Sequence, residues 1–375
     1  MIDYPGVDPV LLETADRLFA ACCDNRQLLA AEEAGWAKDL WERAAEMGLP
    51  WISVPEDRGG SGGGLPEALA VLRVAGRHGA PIPLAETGVL AGWLLAGAGL
   101  PVDPASPLTV VPGRDGDTLR LDGGPGPDAR LTGTAHRVPW ARAAARIVAL
   151  VGSDDGWQVV AVPTADVGVR VEPDVNLAGE PRDTVHLDGV EPAVLAPAAA
   201  GVDPDALVRR GALARVMTMA GALEAMSELT LAYAHQRRQF GRPVATFQAV
   251  QQHLVVVAQE AAVVTMAATV AATATARADE RAGGGGGSSS SGRDGAFEVA
   301  AAKLLANQAA HTATRAAHQV HGAIGMTQEY PLHQLSRRLW SWRKEYGDDR
   351  YWTVRLGPLI GAAGADGLYP LIAGG

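Results

Sequence analysis

The stretch RRQFGRPVATFQAVQ, Arg237–Gln251, decides how this chain folds, because it joins two long helical patterns through one tight turn. Upstream, Asp203 and Pro204 open the first helix, with Asp203 placed as N-cap and Pro204 at the first helical position. That helix runs to about Arg238, where Gly241 and Pro243 force a turn. The next begins near Thr246, with Phe247, Val250, Leu254, Val257, Ala261 and Val264 at alternating spacings of three and four, the seam of a helix packed in a bundle. The turn gathers a cation, an amide and an aromatic ring, Arg237, Gln239 and Phe240, which together suit a phosphate-bearing or aromatic ligand. The same residues also suit a basic helix end whose Phe240 fills the core.

Downstream, QVHGAIGMTQEYPLHQLSRR (Gln319–Arg338) interrupts an apolar helix with Gly322 and Gly325. Glycines there let a backbone or ligand approach closely, and Gln319 stands ready to bind what approaches; a helix end with a tight turn reads the same way. Between the two segments, GGGGGSSSSGRDG has the composition of a mobile linker, near residues 282–295. It is expected to be an extended loop and not a domain boundary, because the Ala-rich helices flanking it, Ala261–Ala278 and Phe297–Val320, are apolar enough to bury against each other.

Working toward the N-terminus, residues from about Ser106 change to short alternating runs such as RIVALVG, WQVVAVP and TVHLDGV, the pattern of strands. Before them, VLLETADRLFAACC, LLAAEEAGWAKDLWERAAEMG, LPEALAVLRVAG and ETGVLAGWLLAG read as helices. The break PWISVPEDRGGSGGG reads as a loop anchored by Trp51, Ile52 and Val54.

The 375 residues, 47% of them hydrophobic, are enough for two or three packed units. A net charge of −10 with scattered Lys and Arg gives no footprint for nucleic acid or an anionic membrane. Apolar stretches such as VLAGWLLAGAG are too short to span a bilayer, so no membrane partner is expected. The only cysteines, Cys22 and Cys23, are adjacent, and the chain opens on no secretory pattern, which points to a reducing, cytoplasmic setting. His318 and His321 have a ligand-like spacing but lack a third ligand nearby, so no metal is expected.

In chain order, ISVPEDRGGSG, RRQFGRPVATFQ and QVHGAIGMTQEYP resemble segments of the acyl-CoA dehydrogenase family of flavoproteins, and the resemblance covers nearly the whole chain. It implies an α+β fold: an N-terminal α-helical domain (1–104), a middle β-barrel or sandwich domain (105–198) and a C-terminal four-helix bundle (199–375). It also implies FAD, held between the β domain and the bundle, with the adenine end in a neighbouring subunit's bundle. By position, Arg237, Gln239 and Phe240 match the turn that meets the FAD pyrophosphate and adenine. Gln319, Gly322 and Gly325 match the residues that meet its ribose and phosphates, although Ala323 stands where a second glycine is usual.

The implied reaction needs a carboxylate to take the α-proton of an acyl-CoA thioester while the β-hydrogen leaves as hydride to the flavin, and burial should raise that carboxylate's pKa. The family's usual base lies in a tyrosine-glutamate-glycine-threonine segment near the C-terminus, and here the run is EYGDD, Glu345–Asp349. Aligned from Gln319, Tyr346 falls on the base position, and its phenol ionises near pH 10. Glu345 is the one candidate left, but a shift of one residue on a helix is a rotation of about 100°. The alternative base position of some relatives is Gly211, and the flavin-facing Thr-Glu and Gly-Ser-Asp segment is replaced by PLTVVPGRDGDTLRL.

Three readings follow. The chain is a subunit of a heteromeric, FAD-dependent acyl-CoA dehydrogenase, giving half of the flavin site to a second dehydrogenase-like subunit in a heterotetramer. Alternatively it is self-sufficient, as a homo-oligomer with a displaced base, or it is a flavin-free helical scaffold. The first two require an acyl-CoA substrate and an electron-transfer acceptor. The linker reading makes its own prediction: replacing residues 283–292 with a short glycine linker should leave the melting temperature within a few degrees, since loop length adds little closure entropy. A large fall on that replacement would show that the segment packs.

Overall fold

Caps punctuate the first hundred residues of the computed structural model, which describes residues 4, 6–104, 106–283 and 295–373. Helix α1 (Pro9–Cys22) starts where Asp8 accepts from the Val10 N–H, and α2 (Asn25–Ala34) starts at a capping box of Asp24 and Gln27. The sequence pattern reads α2 and the following helix as one stretch, but Gly35, at φ +86°, ends α2, and α3 (Lys38–Glu46) begins anew. The loop after α3 is anchored as its apolar residues predict: Trp51, Ile52 and Val54 are buried. After α4 (Leu65–His78) comes a π-helical segment, Ala85–Gly92, that leads into α5 (Trp93–Gly97). Every residue of the π segment is buried, and a Cβ on Gly88 would lie 1.9 Å from the Pro50 carbonyl oxygen, so this stretch packs on its loop without side chains between them.

The middle of the chain forms two four-stranded sheets. Strands β1 (Leu108–Val110), β4 (Arg146–Ser153), β5 (Gly156–Pro163) and β8 (Val194–Pro197) lie in that order in one sheet. The other takes β2 (Arg120–Asp122), β3 (Arg130–Pro139), β7 (Arg182–Val190) and β6 (Val169–Glu172). Only β1 and β4 run parallel; the other pairs in these sheets are antiparallel. Leu131, Ala135, Ile147, Val160, Val162 and Val185 bury between them, the alternation of a sandwich.

Asp203 caps α6 (Pro204–Gln236) as its sequence predicts, accepting from the Ala206 N–H at 2.7 Å. A two-residue hairpin, β9 (Arg238–Gln239) and β10 (Arg242–Pro243), then leads to α7 (Gln248–Gly283). Helices α8 (Ala296–His321), α9 (Leu332–Trp342) and α10 (Asp349–Ala373) complete the chain. Helices α6, α7 and α8 pack on one another, α4 lies on α6 and α10 on α8, so the α+β architecture expected from the resemblance is present. The Gly/Ser run expected near 282–295 falls almost wholly outside the described residues.

Helix α7 corrects one expectation. Over Gln248–Arg281 it is long and apolar enough to cross a bilayer, with a mean hydropathy of 1.9 in its most apolar window. Val257, Ala261, Val264, Ala268, Ala271 and Ala272 bury one face in the core shared with α6 and α8, whereas Val255, Met266 and Val270 are exposed.

The crossing of α4 and α6 is set by two glycines. A Cβ on Gly76 would lie 2.0 Å from the Thr218 carbonyl oxygen, and one on Gly221 would lie 1.8 Å from that of Arg73. Arg73–Glu224 and Arg77–Glu228 ion pairs flank the contact. Alanine normally favours a helix interior over glycine by about 1 kcal/mol, but here the helices would have to separate. Gly221→Ala is therefore expected to destabilise the fold by about 1–3 kcal/mol, the range of core overpacking. Urea denaturation measures this, and a gain in stability would contradict the close approach.

Candidate active site and cofactor cradle

The EYGDD run is a turn between α9 and α10, not a frayed helix end. Tyr346 has φ +51° and Gly347 φ +98°, and Asp348 accepts from the Tyr351 N–H at 3.0 Å to start α10. Beneath the turn, the fully buried Lys303 of α8 donates to Asn307 Oδ1 at 2.6 Å, to the Gly347 carbonyl at 3.1 Å and to the Arg343 carbonyl at 3.3 Å. Burial pulls its pKa down to about 7.

Within this turn the two base candidates meet different fates. The Tyr346 side chain is buried directly against Gly211 of α6: a Cβ at position 211 would come within 2.3 Å of its ring. The two positions that could hold a base thus face each other, and the ring of one fills the space over the other. The Tyr346 hydroxyl is buried with no hydrogen-bond partner among the described residues, and burial drives its pKa above the usual tyrosine value. Glu345 takes different partners from Tyr346, and it is not solvated: it is 8% exposed. Its Oε1 accepts from Arg182 Nε at 2.7 Å and its Oε2 from Arg215 Nε at 2.6 Å. Burial alone would raise its pKa, but the two guanidiniums overcome that and hold it at about 2. A catalytic base for this chemistry needs the opposite shift.

These contacts belong to a buried chain of alternating charges that the sequence does not reveal. Arg215 pairs onward with Glu86 of the π segment, and Arg182 with Glu180 at 2.9 Å. Glu180 also accepts from Trp342 Nε1 at 3.0 Å and lies 3.6 Å from Arg338. The line Glu86–Arg215–Glu345–Arg182–Glu180–Arg338 crosses from the first helices through the bundle to the sheet and on to α9. It leaves a cavity of only about 30 Å³ among Leu72, Ile82, Glu86, Trp140, Arg215 and Trp342, room for about one water. A wider cleft of about 470 Å³ opens beside the turn, and Arg182, Glu345 and Tyr346 border it together with Arg114, Arg137 and Tyr351.

The second cluster lies at the end of the bundle where α6 and α8 finish. Tyr233, one turn before Arg237, donates to the His321 carbonyl at 3.2 Å and stacks on the His321 ring at 4.4 Å. The two motifs singled out in the sequence are thereby tied together. Arg237, Gln239 and Phe240 are exposed, and Phe240, at the hairpin tip with φ +51°, is 92% exposed. It does not fill the core. Gln319 and Gly322 are also exposed, while Gly325 is packed against His321 and Leu332. Gly322 has φ +64°, and a Cβ there would meet nothing within 4 Å, so its backbone is open to a ligand. Nearby, His318 bonds Ser336 Oγ at 3.0 Å, and no group of three or more metal-type ligands exists among the described residues.

Comparison with known proteins agrees with this architecture. The acyl-CoA dehydrogenase N-terminal domain matches residues 10–100, and the acyl-CoA dehydrogenase C-terminal domain matches residues 207–347. The chain belongs to the acyl-CoA dehydrogenase family. Acyl-CoA dehydrogenase FadE27 of Mycobacterium tuberculosis is 29% identical over 85% of this chain and 87% of its own length. A variant of the Tcur3481-Tcur3483 steroid ACAD superposes with a TM-score of 0.80 at 26% identity, over 95% of this chain and 98% of that one. The ChsE4-ChsE5 complex from Mycobacterium tuberculosis contains a chain of the same fold, TM-score 0.78 at 23% identity, over 96% of this chain and 99% of that one.

Family membership implies FAD, and the residues present fit it unequally. The bundle end fits the ADP half: an arginine without an ion pair among the described residues, an exposed ring and an open glycine backbone all face outward. At the other end, Tyr346 and the Glu345–Arg182 ion pair border the wider cleft, and Glu345 is held as a carboxylate of depressed pKa, which does not suit a base.

Acid titration tests the charge chain. A carboxylate whose folded pKa is depressed stabilises the fold fully above its unfolded pKa, and that stability is lost as pH falls through the folded value. For Glu345 the window runs from the usual 4.5 down to about 2. The unfolding free energy of Glu345→Gln should thus change less over this window than that of the wild type. Equal slopes would remove Glu345 from the network.

Proposed function

We propose that this chain is the non-catalytic subunit of a heteromeric, FAD-dependent acyl-CoA dehydrogenase, and that its bundle end completes the flavin site of a partner that carries the base. The observation behind this reading is the Tyr346 ring closed over Gly211, with Glu345 held between Arg182 and Arg215. Neither position can take a proton from a substrate carbon. Two of the structures that share the fold are themselves described as paired assemblies, ChsE4-ChsE5 and Tcur3481-Tcur3483, which supports a two-chain enzyme.

When bound, FAD would accept the hydride that leaves the β-carbon of the acyl-CoA. This chain's own contribution is binding. Arg237 offers a guanidinium to the pyrophosphate, Phe240 an uncovered ring to the adenine, and Gln319 and the Gly322 backbone meet the ribose and phosphates. Exposed Val255, Met266 and Val270 on α7 give the partner's bundle an apolar surface to cover. Electrons would leave to a separate acceptor protein, and the two free, adjacent thiols fit a reducing cytoplasm.

Two variants, purified with the partner subunit, test the proposal. Arg237→Ala removes one charge-assisted contact, worth about 1.5–3 kcal/mol, and should lower FAD retention with the fold intact. Glu345→Gln should leave turnover with an artificial electron acceptor close to that of the wild type at full flavin content. A loss by a factor of roughly 100 to 10,000 is what removal of a true base would give, and would overturn the non-catalytic reading.

A further inference from the structure

The connection from α8 to α9 is a short 3-10 turn, Gly322–Met326, and a loop that ends at Pro331, and most of its residues are exposed. Gly325 is the buried one, and a side chain has little room there: a Cβ would lie 2.9 Å from His321 Cβ and 3.2 Å from His318 Nδ1. Three histidines stand against this connection, His318 and His321 in the last turn of α8 and His333 in the first turn of α9. His321 is 3% exposed and His333 8%. Hydrogen bonds fix the tautomer of each ring, because a carbonyl oxygen can only accept. His321 Nδ1–H donates to the Ala317 carbonyl at 2.8 Å, and His333 Nδ1–H to the Tyr330 carbonyl at 2.7 Å. Ser336 gives its hydroxyl proton to the Leu332 carbonyl at 3.1 Å, so its Oγ accepts from His318 Nε2–H at 3.0 Å. The other nitrogen of each ring, His318 Nδ1, His321 Nε2 and His333 Nε2, is a buried lone pair without a partner among the described residues.

We propose that these histidines form a proton-operated latch: with neutral rings the connection closes on them at Gly325, and proton uptake by His318 or His321 opens it. A proton on either bare nitrogen creates an N–H that no acceptor meets, and a buried donor left unpaired is costly. It also places a positive charge among groups that do not balance it. Facing the rings are Tyr233 from α6 and Tyr330 from the loop, with ring centroids 4.4 and 5.0 Å from that of His321, and Ser336 and His333 from α9. None of these is a carboxylate. Burial is the main cause that lowers the pKa of both His318 and His321, and His321 and His333 lower that of His318 further. A ring whose folded pKa lies below the unfolded 6.5 leaves the closed segment fully stable above pH 6.5. That stability is lost as the pH falls below this value, because the opened segment binds protons that the closed one refuses. Gly322 lies on the segment that opens, so a ligand resting on its backbone is lost in acid. The latch itself stands whatever the chain binds, and its failure would leave the proposed function untouched.

Hydrogen–deuterium exchange of the full chain at about pH 7.5 and about pH 5.5, corrected for the intrinsic pH dependence of exchange, tests this. Protection of the peptide Gly322–Pro331 should fall roughly tenfold at the lower pH, the linkage of about one ring that is protonated only when the segment is open. Protection within α4 should stay the same. The double variant His318→Gln, His321→Phe keeps an aromatic ring against Tyr233 and Tyr330 and titrates at neither position. Its protection should therefore differ by less than about twofold between the two pH values. If the double variant does not fold, the imidazole resonances of the wild type decide the matter, and those of His318 and His321 should titrate below 6.5. Equal protection of the segment at both pH values in the wild type would overturn the latch. So would an equal fall in α4, a fall of the same size in the double variant, or titration of both rings at or above 6.5.

Discussion

Glu345 lies between two arginines that come from different parts of the molecule, Arg182 from the sheet and Arg215 from the long helix α6. All three are buried, so none can be neutralised by water, and each holds the others in place. Removing one partner from such a set leaves an uncompensated buried charge, which costs about 3–5 kcal/mol. The pairs extend to Glu86 in the π segment and to Glu180 before β7, so first helices, sheet and bundle are held through one line of charges. The orientation of the turn follows from this line. Glu345 and Tyr346 both pack on α6, Glu345 against Arg215 and the Tyr346 ring over Gly211 one turn earlier, with a positive φ at Tyr346 and Gly347.

The same constraint separates the two ends of the chain's chemistry. Along the charge chain the side chains satisfy one another and leave space for about one water, although Glu345 and Tyr346 also border the wider cleft. At the bundle end the balance is reversed: a guanidinium, an amide, an aromatic ring and a glycine backbone are exposed and uncommitted. A fold that ties up its own carboxylate and leaves a cofactor cradle open is one suited to working on a ligand that another chain also holds.

The architecture was legible in the sequence because it rests on local signals. Asp203 and Pro204 start α6, the three-and-four spacing of Val257, Ala261 and Val264 marks the buried face of α7, and alternation marks the strands. The resemblance places its two base positions on Tyr346 and Gly211 by counting, and the fold brings those two residues into contact. What local pattern could not show was the charge chain: Glu86, Glu180, Arg182, Arg215 and Arg338 are far apart in sequence, and each looks like an ordinary surface charge until the fold brings them together. The π-helical turn at Ala85–Gly92 was hidden for the same reason, because its cause is the close approach of Gly88 to the Pro50 carbonyl. Likewise, whether Phe240 fills the core or stands in solvent depends on the backbone of a two-residue hairpin, which composition does not report.

In the proposed complex this chain completes a flavin site without running one of its own. The ratio of FAD to protein in the complex purified with its partner subunit, measured from flavin absorbance against subunit mass, tests it most directly. The proposed role requires one FAD for each pair of unlike chains. One FAD for every chain would contradict it.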